Sequence, residues 1–210
     1  MKDYRILLTV AVAAVSLALT TVPGQATLIV DTLPANNQAN LTADAGQTFT
    51  TPISLGAENL LSTIAIEGPQ TDPGGASPLG PFVLELWTDT DGNSGTWDPG
   101  VLLGASDSQS IVAGGATMTT FTFASQPVLS DNTVYAFTYT DGAGTRVNAR
   151  MGLTNATAIP DGSLFSVGGQ VFSDAFDTAM QVTTVIPEPS SLALVGLASV
   201  LLFVRRRMRG

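Results

Sequence analysis

The chain has 210 residues and a formal charge of −9, and it contains neither cysteine nor histidine. Those absences exclude disulfide stapling, thiol nucleophiles, histidine-based triads and the usual zinc, copper and haem ligand sets. Lys2 and Arg5 stand at one end, Arg205, Arg206, Arg207 and Arg209 at the other, and only Arg146 and Arg150 between them. Nucleic-acid binding, which needs clustered Lys and Arg to release counterions, is therefore excluded as well.

Taken in chain order, the first element is a sorting segment. Lys2 and Arg5 precede an apolar run over residues 6–20, and Gly24, Gln25 and Ala26 follow, with small residues where a signal peptidase reads. The run is shorter than the roughly 20 residues a stable span prefers. Residues 1–26 are therefore predicted to be a signal peptide cleaved after Ala26.

Residues 27–186 are long enough for one domain with a real core and too short to suggest two. Two arginines against fifteen acids give this segment a formal charge of −13. Self-repulsion on that scale favours solubility, and acids without partners attract divalent cations. The segment contains no lysine, which removes Ser–Lys dyads and Schiff-base chemistry. Carboxylate chemistry survives, with Glu58, Glu67 and Glu85 available as in glycoside hydrolysis, but no spacing marks a catalytic pair.

The pattern along this segment has period two, rich in β-branched and aromatic residues and broken by Gly, Pro, Asn and Asp. Strands are predicted in TLIVDTL, QTFTT, LSTIAIE, PFVLELWTD, GVLLGAS, MTTFTFAS, TVYAFTYTD, RVNARMGLT, SLFSVGGQVF and AMQVTTVI. Phe82, Leu84 and Leu86 share one face while Glu85 and Trp87 take the other; Tyr135, Phe137 and Tyr139 share a face in the same way. No stretch keeps helical spacing for three turns. The expected fold is all-β: a single antiparallel β-sandwich, jelly-roll-like, with an apolar slab between two sheets and Thr, Ser and Asp outward. The order of the strands is not readable.

Between two of these strands runs DTDGNSGTWDPG, residues 89–100. Asp89, Asp91 and Asn93 offer oxygen ligands at alternate positions around a glycine turn, with Asp98 as a further candidate, which is how calcium loops are built. Ser94 and Gly100 replace the glycine and the bidentate glutamate of an EF-hand, and an exposed hairpin loop uses the same residue types for its turns. Trp87 and Trp97 flank the loop, where they would stack on a sugar or brace the fold. Arg146 and Arg150 would clamp an anionic sugar or form ordinary ion pairs. Asn40-Leu41-Thr42 and Asn155-Ala156-Thr157 fit the N-glycosylation pattern.

The tail reads Ile-Pro-Glu-Pro-Ser-Ser, then a thirteen-residue, mainly apolar run over 192–204, then Arg205, Arg206, Arg207 and Arg209. Arginines beside an apolar helix stop transfer and stay on the cytoplasmic side, so Pro187, Glu188 and Pro189 face outward. Thirteen helical residues span about 20 Å against a hydrocarbon core of about 30 Å, a marginal span suited to being held briefly and cut. Pro187 and Pro189 keep the preceding stretch extended. A plain, unprocessed membrane anchor would insert by the same physics.

These three parts, in this order at the C-terminus, resemble the PEP-CTERM sorting signal of bacterial surface proteins over residues 187–210. The resemblance implies recognition of Pro187, Glu188 and Pro189 by an exosortase, a membrane transpeptidase-like enzyme, in bacteria that usually make exopolysaccharide. The core resembles the choice-of-anchor R domain through AGQTFTTP, LSTI, LELWTDTDGNSGTWDPGVLLGAS and FTFASQPVLSDNTVYAFTYT, departing from it where Thr96, Trp97 and Asp98 lengthen the middle turn. That family implies a surface module without assigned chemistry.

The function expected is that of an exported, non-enzymatic surface or extracellular-matrix protein. It would be membrane-anchored during sorting and structural or adhesive in an exopolysaccharide layer or biofilm. The alternatives are a calcium-assisted carbohydrate-binding module and a carboxylate-dependent glycosidase. Expected partners are an exosortase, the membrane and exopolysaccharide, and calcium is the one candidate cofactor.

Overall fold

The computed structural model describes residues 26–41, 45–56, 59–69, 79–90, 99–112, 117–145, 147, 149–155, 162–166, 170–173 and 176–186. Among them every regular element is a strand, and every paired ladder is antiparallel. In chain order the strands are β1 (Ala26–Asp31), β2 (Asn37–Leu41), β3 (Gly46–Thr50), β4 (Leu60–Glu67), β5 (Leu79–Asp89), β6 (Pro99–Ala105) and β7 (Gln109–Ile111). They continue as β8 (Met118–Thr122), β9 (Val134–Thr140), β10 (Ala149–Asn155), β11 (Leu164–Ser166), β12 (Gln170–Ser173), β13 (Phe176–Thr178) and β14 (Met180–Val185).

Three sheets result. One has the order β1-β14-β4-β8, a second β13-β10-β2, and the third β12-β11-β3-β9-β5-β6 with β7 also on β5. Residues Ala26–Ile186 make one compact unit. A single apolar cluster draws on all three sheets: Leu61, Ile64, Phe121 and Val182 from the first, Met151 and Leu153 from the second, and Phe49, Leu84, Phe137 and Tyr139 from the third. Alternation explains who enters it. In β5, Phe82, Leu84 and Leu86 are buried while Val83, Glu85 and Trp87 are half-buried, as period two requires. Phe137 and Tyr139 meet edge to face, with ring centroids 5.7 Å apart, and Tyr139 meets Phe82 in the same manner at 5.8 Å.

One expectation fails on the second face of β9. Thr138 and Thr140 alternate with the aromatic side and were expected outside, yet both are buried, as are Thr48 on β3 and Ala136. β9 lies between β3 and β5, and Phe165 of β11 pairs with Gly46 of β3 on this face. Gly46 has no side chain, so the Phe165 ring and the Phe137 carbonyl fill the space a Cβ would occupy. Phe165, Ala136 and Trp87 thus form a second, small apolar cluster. The buried hydroxyls are satisfied locally: Ser163 N donates to Thr48 Oγ1 at 2.7 Å and Trp87 Nε1 donates to Thr138 Oγ1 at 3.2 Å.

The further differences are local. The stretch SLFSVGGQVF is two strands, β11 and β12, paired antiparallel with Gly168 and Gly169 between them in sequence. The short strands β2, β7 and β13 carry too few alternating apolar residues to register in the sequence pattern.

Candidate functional site

The most specific chemistry in the sequence belongs to the tail, and β14 positions it. MQVTTV alternates buried Met180, Val182 and Thr184 with half-buried Gln181, Thr183 and Val185, a β-branched run suited to a strand with one face in the core. β14 pairs with β1 from Asp31↔Gln181 to Ala26↔Val185, and with β4 from Ile66↔Met180 to Leu60↔Val185. Ile186 follows, half-buried. Pro187, Glu188 and Pro189, like Arg205, Arg206, Arg207 and Arg209, lie outside the described residues. So does the segment predicted as a signal peptide, residues 1–26, except for Ala26, which opens β1 directly opposite Val185.

The entry of the chain into β14 is fixed by a threonine that sequence reading passes over. Thr32, just beyond β1, accepts from Met180 N at 2.7 Å and donates to Thr178 O at 2.6 Å through one hydroxyl. Thr32 N also donates to Met180 O at 3.0 Å. The break between β13 and β14 at Ala179 is thereby closed with its backbone groups satisfied. A Thr immediately after an alternating strand was the available signal, but such residues are too common for it to stand out.

The calcium candidate falls on the connection from β5 to β6. Asp89 ends β5 and pairs with Pro99, the first residue of β6, so the two strands close the loop at its mouth. Thr88 Oγ1 accepts from Val101 N at 2.8 Å, and Gly100 is needed there because a Cβ would meet the Thr88 hydroxyl and carbonyl. Asp89 is half-buried; Asp91, Asn93 and Asp98 lie outside the described residues, as does Trp97. Among the described residues no three or more Asp or Glu side chains come together as a metal site.

The described acids are used largely for holding backbone. Glu67 Oε2 accepts from Ala35 N at 2.8 Å, Asp107 Oδ1 from Thr122 N at 2.7 Å, and Asp131 Oδ1 from Leu55 N at 2.7 Å. Asp141 Oδ1 accepts from both Ala143 N and Thr145 N, an Asx-type turn. Glu67, a carboxylate candidate in the sequence, is 4 % exposed; Glu85 is half-buried on β5, and Glu58 lies outside the described residues. Trp87 packs on Ala136 and Phe165, so it braces the sheet. The side chains of Arg146 and Arg150 lie outside the described residues.

A buried polar group joins the second and third sheets. Gln47 Nε2 donates to Asp177 Oδ1 at 2.9 Å, and Gln47 Oε1 accepts from Thr178 N at 2.8 Å. Thr178 Oγ1 lies 3.2 Å and Tyr139 OH 3.5 Å from Met151 Sδ. Full burial pushes the Tyr139 phenol far above its ordinary value. Gln47 shares its face with Phe49, two residues on, and that spacing was the available signal that it turns inward; its partner Asp177, in the short β13, carried no such signal.

No helix among the described residues is long and apolar enough to cross a membrane. No curated protein and no solved structure matches the chain, and the comparisons give no support to the choice-of-anchor R resemblance of the core. A family model for the PEP-CTERM protein-sorting motif matches residues 185–207, beginning on the last residue of β14. The chain therefore carries a PEP-CTERM protein-sorting motif, which implies export, processing by an exosortase and sorting to the cell surface.

Proposed function

We propose that this chain is a non-enzymatic surface or matrix protein, whose acidic domain, a jelly-roll-like sandwich, has a structural or adhesive role in an exopolysaccharide layer. The observation that carries the reading is the junction at Val185: the sorting motif begins where the last described strand ends, so the tail is joined directly to a β-domain. The use of Glu67, Asp107, Asp131 and Asp141 as backbone acceptors supports a scaffold over a catalytic surface. The apolar cluster shared by the four-stranded and the large sheet supports a sandwich.

The test is replacement of Pro187, Glu188 and Pro189 by alanine, with surface retention and intact mass measured in the native cell. The expected outcome is loss of retention in the mutant. The wild-type mass should lack residues 1–26 and the arginine tail, and a strain without the processing enzyme should keep that tail. Unchanged retention in the mutant, with the tail present on the wild-type protein, would reduce the segment to a plain membrane anchor.

A further inference from the structure

The strand that leads into the sorting motif is held on both sides. β14 lies between β1 and β4, antiparallel to both, and its C-terminal residue Val185 sits at the same end of the sheet as Ala26 and Leu60. At the opposite end Gln181 faces Asp31, and Met180 faces Ile66. Interstrand hydrogen bonds in an antiparallel pair run perpendicular to the strands. The direction in which such a ladder is pulled therefore decides its strength. Tension applied at opposite ends of two neighbouring strands strains all the bonds together, in shear. Tension applied at the same end strains the first pair alone, then the next, and the ladder unzips.

We propose that β14 is a tension-bearing strand: a pull entering through the tail and resisted by the body of the fold loads the β14–β1 and β14–β4 ladders in shear. Burial reinforces the arrangement, because withdrawing β14 would also strip Met180, Val182 and Thr184 out of the interior. The same sheet is weak in one direction only. A pull between the start of β1 and the tail meets at the Ala26–Val185 pair and opens it first. A molecule attached through its tail alone, with its N-terminus free, experiences the strong direction and never the weak one. The biological use of this property rests on the reading that the protein is held through its tail; the property itself does not.

The absence of native cysteine makes the test clean, since introduced thiols are the only ones present. The full chain, kept unprocessed so that Ala26 and Glu188 are both present, is prepared in detergent as two double variants, Asp31→Cys with Glu188→Cys and Ala26→Cys with Glu188→Cys. Each is stretched between its thiols in a single-molecule force instrument. Asp31 and Ala26 are both exposed and lie at the two ends of the same strand, so only the pulling geometry differs. Forced unfolding is governed by the unfolding barrier, and the Asp31 pair is expected to rupture at a higher force than the Ala26 pair, because its ladder bonds, which run perpendicular to the pull, share the load. Should Asp31→Cys perturb folding through its bond to Leu33, Asn36→Cys, also exposed, gives a second attachment beyond the same end of β1. Equal rupture forces, or a stronger Ala26 pair, would overturn the proposal. Failure of the sorting test above would leave these forces unchanged, so the two results are separable.

Discussion

Replacing Thr32 by valine should weaken the fold far more than its position in a connecting segment suggests. Thr32 is 3 % exposed, and its hydroxyl accepts from Met180 N and donates to Thr178 O, at 2.7 and 2.6 Å. Valine keeps nearly the same shape, so little cavity forms. The loss lies in a buried N–H and a buried carbonyl robbed of this partner, each costing about 1–3 kcal/mol. Thr178 O and Met180 N flank the entry into β14, where no backbone shift can restore the bond without disturbing the β14–β4 ladder. The combined expectation is about 2–4 kcal/mol. With a urea dependence of about 2 kcal/mol per molar, the unfolding midpoint should fall by about 1–2 M without a change in slope. Thr183→Val on β14 is the control, since Thr183 is half-buried and its change should stay within about 0.5 kcal/mol. Urea titrations of the purified protein followed by tryptophan fluorescence give both numbers. Equal, small losses for the two variants would refute the argument that the Thr32 hydroxyl closes the β13–β14 break.

Two other outcomes follow from buried groups. Gly46→Ala would drive a methyl into the Phe137 carbonyl and the Phe165 ring; a backbone carbonyl cannot swing aside, so a loss of about 2–3 kcal/mol is expected, seen as a melting temperature lower by about 5–10 °C, and an unchanged melt would show that the second face of β9 is loosely packed. Tyr139 has its phenol pKa raised by burial from an ordinary value of 10.0, so the folded state keeps a proton that the unfolded chain releases. That contribution is complete below about pH 10 and is lost as pH climbs above it, with a slope approaching about 1.4 kcal/mol per pH unit. Urea midpoints measured from pH 9 to pH 11.5 should decline steeply for the native protein and less for Tyr139→Phe. Parallel curves would mean that Tyr139 is not the group responsible.

The strands that the sequence revealed are those whose alternation has a clear apolar phase. Phe82-Leu84-Leu86 and Tyr135-Phe137-Tyr139 announce both the strand and its inward face. β2, with the sequence NQANL, has one large apolar side chain in five, and β7 and β13 have three residues each, too few for a period to show. The outward assignment of threonine failed at Thr138 and Thr140 because alternation reports that two faces differ, not that one meets water. A threonine that finds an acceptor within its own sheet can be buried at little cost. Of the functional features, the tail was readable because its signals are local in sequence. Its attachment was not: Ala26 and Val185 are partners across the length of the domain, and nothing in either residue names the other.

That long-range pairing also sets an order of events. Among the described residues β1 has one ladder partner, β14, and β14 is the last described strand. Until residues 180–185 are available, β1 has no place in the sheet and β4 lacks the neighbour on that side. Contacts so far apart in sequence form late, because the loop entropy is lost before the pairing can offset it. A chain exported before β14 is in place would keep its first strand extended, within reach of the peptidase that the sequence predicts to cut after Ala26. Pairing of the last strand would end that exposure, and the same strand leads straight into the sorting motif. If residues 1–26 are the cleaved signal peptide that the sequence predicts, topology would time maturation at the two ends, the N-terminal cut belonging to the open chain and the C-terminal one to the closed domain.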